Sequence, residues 1–262
     1  MLNLWSKEML MNTVASFEPK TFGAGSNLVQ WTVPNGITKI HVDCVASKGG
    51  SSTTSGNLHG SAGGSGGRVE CDLAVNGGQI LYITVGNIPS DYKTASYNAS
   101  DIRIGGTGYA NRVIVAGGGG SGGRSNYEGA PEAGGAGGGT TGGKGGEQGW
   151  SLGGDGGTQS AGGAGGQWQA AYYGKNGNAG SLGLGGDGTN YYGNSNNGDA
   201  FSGAGGAGYY GGGSGGGSAY YSYLGNSSGG GGSSYTNANC SNVVHTQGYQ
   251  DGAGYITISM VQ

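Results

Sequence analysis

Apolar and polar residues alternate with a period of two along several short stretches, the pattern of strands that bury one face. In "ITKIHVDCVA" Ile40, Val42 and Cys44 share one face and Lys39, His41 and Asp43 the other. In "RVECDLAV" Val69, Cys71, Leu73 and Val75 oppose Arg68, Glu70 and Asp72. "QILYITV" follows the Gly77-Gly78 turn and carries apolar residues on both parities, which predicts a more central strand. "SNLVQWTV", closed by the turn Pro34-Asn35-Gly36, joins "DIRI" and "RVIVA" as further strands, and "YITISMV" at 255–261 returns to the pattern at the far end of the chain. Six or seven such strands suffice for a sandwich, and a last strand set apart by a long insertion completes a sheet begun earlier. The expected fold class is all-β.

Between about 117 and 235 the alternation gives way to glycine. The chain holds 69 glycines and only 4 prolines in 262 residues, which excludes collagen. So much glycine ordinarily reads as disorder, because glycine loses the most backbone entropy on folding and offers nothing to bury. The tract is nevertheless held by strands at both ends, and a structureless loop of that length does not belong inside a domain. Its glycines also keep a three-residue count, as in "GGDGGT" at 153–158 and "GGAGGQ" at 162–167. Polyproline II has three residues per turn, so glycine on two edges lets neighbouring spirals bond through their backbones while Asp155, Thr158 or Gln167 faces outward. The expectation is an inserted bundle of polyglycine II helices, joined by breaks rich in Tyr, Asn and Trp.

Charge and motifs exclude several functions. With 11 basic and 14 acidic residues the net charge is −3, and nothing here condenses onto nucleic acid or a membrane surface. "GGTTGGK" at 138–144 has phosphate-loop spacing, but Gly145 stands where the magnesium ligand belongs. G-x-S-x-G around Ser65, Ser121 and Ser214 is expected by chance in so much glycine. His41, His59 and His245 have no partners visible in sequence, so no catalytic residue, metal site or cofactor is expected. Cys44, Cys71 and Cys240 form an odd set, read as small buried hydrophobes rather than a disulfide framework; whether Cys44 and Cys71 pair is left open. "MLNLWSKEMLMNTVASF" has no continuous apolar stretch, so neither a secretory signal nor membrane insertion is expected.

The aromatic residues point to recognition. Tyr172-Tyr173, Tyr191-Tyr192, Tyr209-Tyr210 and Tyr220-Tyr221 with Tyr223 sit in the breaks between glycine runs, as do Trp150 and Trp168. Rigid amphipathic rings among Ser, Asn and Gly make a paratope-like contact surface, suited to stacking on a sugar or docking on a protein loop. The competing reading is that one ring of each pair plugs the end of the bundle. In the first twenty residues Leu4, Trp5 and Met9 belong to a short apolar stripe that docks either on a partner protein or on the chain's own sandwich.

"QWTVPNGITKIHVDCVASKGG", "GGRVECDLAVNGGQILYITVG", "RVIVAGGGGSGG", "GGGGSSY" and "GAGYITIS" together resemble the glycine-rich domains of bacteria and their phages. They are also similar to the glycine-rich extracellular region of anaplastic lymphoma kinase and its leukocyte relative. That resemblance, over most of 25–262, implies a jelly-roll sandwich of tumour-necrosis-factor type carrying inserted polyglycine II helices. The glycine tract alone resembles the tail-fibre tip adhesins of T-even-like phages, and this implies that the tyrosine loops touch the host surface. The N-terminal portion departs from that second family.

The expected organisation is a docking arm at 1–24, a β-sandwich at 25–116, the glycine bundle at 117–235 and closing strands at 236–262. The expected function is that of a phage receptor-binding adhesin on a virion assembled in the host cytoplasm. Its partners are then a host outer-membrane protein or glycan, and a fibre or other virion protein at the N-terminus. The alternative is a structural virion or cell-surface spacer without specific recognition.

Overall fold

A computed structural model describes residues 15–54, 58–126, 131–169, 173–191, 200–220 and 223–261. The alternating stretches form β1 (Lys20–Gly23), β2 (Val29–Thr32), β3 (Lys39–Val45), β4 (Gly66–Ala74), β5 (Ile80–Val85), β6 (Ser100–Ile104), β7 (Arg112–Ala116), β8 (Tyr235–Thr236), β9 (Cys240–Gln250) and β10 (Tyr255–Met260). They assemble into two five-stranded antiparallel sheets, β1-β10-β3-β4-β9 and β8-β7-β6-β5-β2. The described chain is nearly all β. Ile40, Val42, Val69, Leu73 and Ile258 of the first sheet close against Leu81, Ile83, Ile102 and Ile114 of the second, all fully buried. Cys44 and Cys71 lie in that core as free thiols, and Cys240 is a half-buried free thiol beside it.

Two strands carry no pattern a reader could follow. β1 lies within the stretch expected to be an arm and pairs along its length with β10. β9, "CSNVVHTQGYQ", is the edge of its sheet, exposed along most of its length, and its register against β4 slips twice. Those irregularities blunt an edge that would otherwise pair with another chain.

Four strands run out of one end of the sandwich into glycine. β3 continues into 47–50 and β7 into 117–123, while β4 and β8 are entered from 61–65 and 227–234. Further runs occupy 133–138, 142–146, 152–157, 161–167, 176–181, 184–189, 202–208 and 211–216. These runs form no strand ladders; each bonds sideways to a given neighbour at every third residue. In 227–234, Gly229 and Gly232 donate to the carbonyls of Ser121 and Gly118 and accept from Gly135 and Gly138. Ser228 and Gly231 donate to Gly146 and Gly143 and accept from Gly154 and Gly157. Ser227 and Gly230 donate to Gly216 and Gly213 and accept from Gly203 and Gly206. This run is therefore ringed by six others, with every amide and carbonyl from 227 to 232 engaged, as a buried backbone requires.

The spacing leaves no room for side chains inside. A Cβ on Gly229 would stand 2.0 Å from the Ala204 carbonyl oxygen, and one on Gly231 2.1 Å from that of Ala136. Runs 117–123, 202–208, 211–216 and 227–234 are buried throughout and contain only Gly, Ala and Ser. Outer runs keep their glycines buried or half-buried and expose the third residue of the count at Lys144, Glu147, Asp155, Ala164, Gln167 and Asp187, while Thr158, also expected to face outward, is half-buried. Lys144 and Glu147 pair at 2.6 Å, one count apart along the same edge. Where the layer meets the sandwich, Asn98 takes the place of a neighbouring run. Its side-chain amide donates to Gly119 and Lys48 carbonyls and accepts from the Ala207 amide, reproducing the two groups of a peptide.

Candidate functional site

Bond spacing fixes the direction of each run. In the 227–234 run residue 227 is farthest from the sandwich and 234 adjoins β8. Runs 133–138, 152–157 and 202–208 advance in step with it, while 117–123, 142–146 and 211–216 count backwards against it. The chain therefore passes up and down, and its connections sort into two groups. Turns at 139–141, 158–160, 181–183 and 208–210 lie next to the sandwich. The described parts of the longer connections, 51–54, 58–60, 124–126, 131–132, 147–151, 168–169, 173–175, 190–191, 200–201, 217–220 and 223–226, gather at the opposite pole.

Short strand pairs knit the polar loops together. Gly217–Tyr220 and Tyr223–Asn226 form a hairpin between two inner runs, with Tyr220 opposite Tyr223. Tyr173–Lys175 adds to its side, Asn190–Tyr191 pairs with Ala200–Phe201, and His59–Gly60 pairs with Arg124–Ser125. The Asn226 side-chain amide donates to the Arg124 carbonyl at 3.1 Å, tying the hairpin to the 124–132 loop. The Gln169 amide donates to the Trp150 carbonyl at 3.0 Å, and Ser151 bridges to Trp168, so the two tryptophans lie on crossing segments. Trp150 is exposed, whereas Trp168 is half-buried with its ring against Gly174, where a Cβ would come within 2.2 Å of it.

The residues expected to contact a receptor divide between the ends. Trp150, Trp168, Tyr173, Tyr191, Tyr220 and Tyr223 are on loops of the far pole. Tyr172, Tyr192 and Tyr221 lie outside the described residues, as do Leu4, Trp5 and Met9. Tyr209 and Tyr210 are on the turn beside the sandwich. There Tyr209 stacks on Tyr235 with centroids 3.9 Å apart and meets Tyr210 edge-on. Arg112 clamps the turn by donating to the carbonyls of Gly208 and Tyr209 at 2.7 and 2.9 Å, with its guanidinium over the Tyr109 and Tyr209 rings. This pair fastens the glycine layer to the second sheet. The length of the break is the signal that separates it from the others: three residues at 208–210, against longer loops at the far pole.

Sequence reasoning passed over Phe201 and Lys93. Phe201 closes the 190–201 loop under the Lys93 ammonium, 4.5 Å from the ring centre. Lys93 belongs to a segment that runs along the layer, its carbonyl and that of Tyr92 accepting from Gly188 and Ala204. Among the described residues no group of three or more His, Cys, Asp and Glu is placed to hold a metal ion. No helix among them is long and apolar enough to cross a membrane. No family model matches the chain, and no curated protein matches it.

Proposed function

We propose that this chain is a receptor-binding adhesin of the phage fibre-tip type, gripping a host surface molecule through the loops of the far pole. The observation that carries the reading is the sorting of those loops: the described parts of the longer breaks, holding most of the described aromatic residues of 117–235, converge on the end opposite the sandwich. Separate loops on a stiff base present a composite surface whose contacts lose little conformational entropy on binding.

The base, in this proposal, is a bundle of polyglycine II helices on a jelly-roll sandwich. Bonding at every third residue and outward exposure of the third residue support the helices. Among the described glycines of 117–235, only Gly138, Gly139, Gly149 and Gly183 have positive φ, which agrees with the same conformation. Pairing of β1 with β10 supports closure of the sandwich by its two ends. The N-terminal segment then attaches the module to a fibre or another virion protein.

Replacing Tyr172, Tyr191 and Tyr220 together by serine tests the reading. Particles carrying the triple variant are expected to adsorb at least about 100-fold less, from the loss of hot-spot rings, while the purified variant melts as the parent does. Adsorption at the parental level by a folded triple variant favours the spacer reading instead.

A further inference from the structure

We propose a second binding site, on the outer face of the second sheet and remote from the aromatic pole, that takes a neutral saccharide. A groove of about 910 Å³ opens there, within the roughly 300–1,000 Å³ range of small-molecule sites. Its floor comes from Thr84 and Arg103 on neighbouring strands, and its walls from the segments 25–27, 85–90, 96–97 and 107–109.

The lining selects by charge, polarity and shape. Among the described residues that line it, Arg103 is the one charged side chain, and its charge is already matched. Asp101, fully buried, takes Arg103 Nε at 2.7 Å and Nη2 at 3.1 Å, and Nη1 donates to the Thr107 carbonyl. The Tyr97 hydroxyl donates to the same carboxylate, and burial keeps that phenol neutral by pushing its pKa up. An anion therefore finds no free cation here, and a cation finds no free carboxylate.

A purely apolar ligand is disfavoured too. Asn27, Asn87 and Ser90 line the groove with side chains that make no hydrogen bond among the described residues, and the Ser96 hydroxyl is buried without a partner. Covering such groups with hydrocarbon leaves them without the hydrogen bonds that water would make to them. Beside them stand Val85, Ile88, Pro89 and the parallel rings of Tyr97 and Tyr109, with centroids 6.0 Å apart. Uncharged donors and acceptors next to aromatic and aliphatic carbon fit a molecule with hydroxyls along its edge and C–H groups on its face. A pyranose has that distribution.

Titration of the isotope-labelled full chain, followed by amide NMR shifts, tests the site with four probes: methyl α-glucoside, methyl β-galactoside, N-acetylglucosamine and maltose, each to tens of millimolar. At least one is expected to move the amides of Asn27, Asn87 and Ser96 while leaving 217–226 unmoved. Asn87→Ala and, separately, Asn27→Ala are expected to weaken that sugar about tenfold, the loss of one hydrogen bond. The site is overturned if none of the four moves those amides, if acetate or indole moves them at lower concentration than any sugar, or if both folded variants bind as the parent does. Because the groove and the far pole share no residue, either proposal can fail while the other stands.

Discussion

The sandwich and the glycine layer are both closely packed inside, yet they cohere by opposite means. In the sandwich, side chains fill the space between two sheets, and main-chain bonds run only within each sheet. Burying one methylene there contributes about 0.8 kcal/mol. In the layer the main chains themselves fill the space, and bonds run sideways to as many as six neighbours. Each bond contributes a net of about 0.5–1.5 kcal/mol, against a backbone entropy cost that glycine makes larger than usual. Such a layer holds only when nearly every bond is made and the chains touch. The sandwich is thus sensitive to carbon removed, and the layer to carbon added.

The sharpest way to break this contrast is a pair of single substitutions followed by denaturant unfolding. Gly231→Ala adds one methyl 2.1 Å from the Ala136 carbonyl oxygen; it forces two main chains apart and is expected to cost about 4 kcal/mol or more. Ile83→Ala removes three carbons from the fully buried sandwich core and is expected to cost about 3 kcal/mol. If the added methyl proves harmless, the layer is not packed chain against chain.

A smaller effect is expected at the seam between the regions. Asn98→Ala leaves the Gly119 carbonyl and the Ala207 amide without their side-chain partner, at a cost of about 1–3 kcal/mol. Amide exchange should locate the loss: Ala207 speeds up while the core amides of β5 and β6 stay protected. Equal acceleration in both regions would show them to be one cooperative unit.

The smallest effect belongs to the outer face of the first sheet, where His41 meets Asp72. His41 Nδ1 lies 3.0 Å from the Asp72 carboxylate, and the Asn242 amide donates to it at 2.8 Å. These two bonds, that from His41 first, hold the Asp72 pKa below its ordinary value. The folded state thus favours the charged form. Its contribution is complete above the unfolded value of about 3.9 and is lost as pH falls from there through the lowered folded value. Asp72→Asn should flatten that part of the acid limb of a urea-midpoint curve and leave the alkaline side unchanged.

Much of this arrangement was legible in the residues. Alternation located β3, β4 and β10 because each buries one face, apolar residues on both parities located β5, and the count of three foretold the exposure of Asp155 and Gln167 but not the half-buried Thr158. Two further signals went unused. A charged third residue, as in 142–146, marks an outer run, and the inner runs, such as 211–216, hold only Gly, Ala and Ser, a composition that the partly exposed run 133–138 shares. Short and long breaks also alternate, which is how an up-and-down chain sends its loops to two ends. Other features have no local sign. β9 is an exposed edge whose partner lies far away in sequence, and Asn98 looks like any loop residue until its amide is seen standing in for a peptide. That "KGG" at 48–50 and "SAGGSGG" at 61–67 join the layer follows from their attachment to β3 and β4, not from their composition.

The ring of six around 227–234 also bears on how the molecule carries load. A tug on the polar hairpin enters two inner runs at once, and neither can be peeled away one bond at a time, since each count of three is held from all sides. Tension is shared laterally among the surrounding runs before it reaches β8, a strand of only two residues that could not withstand it alone.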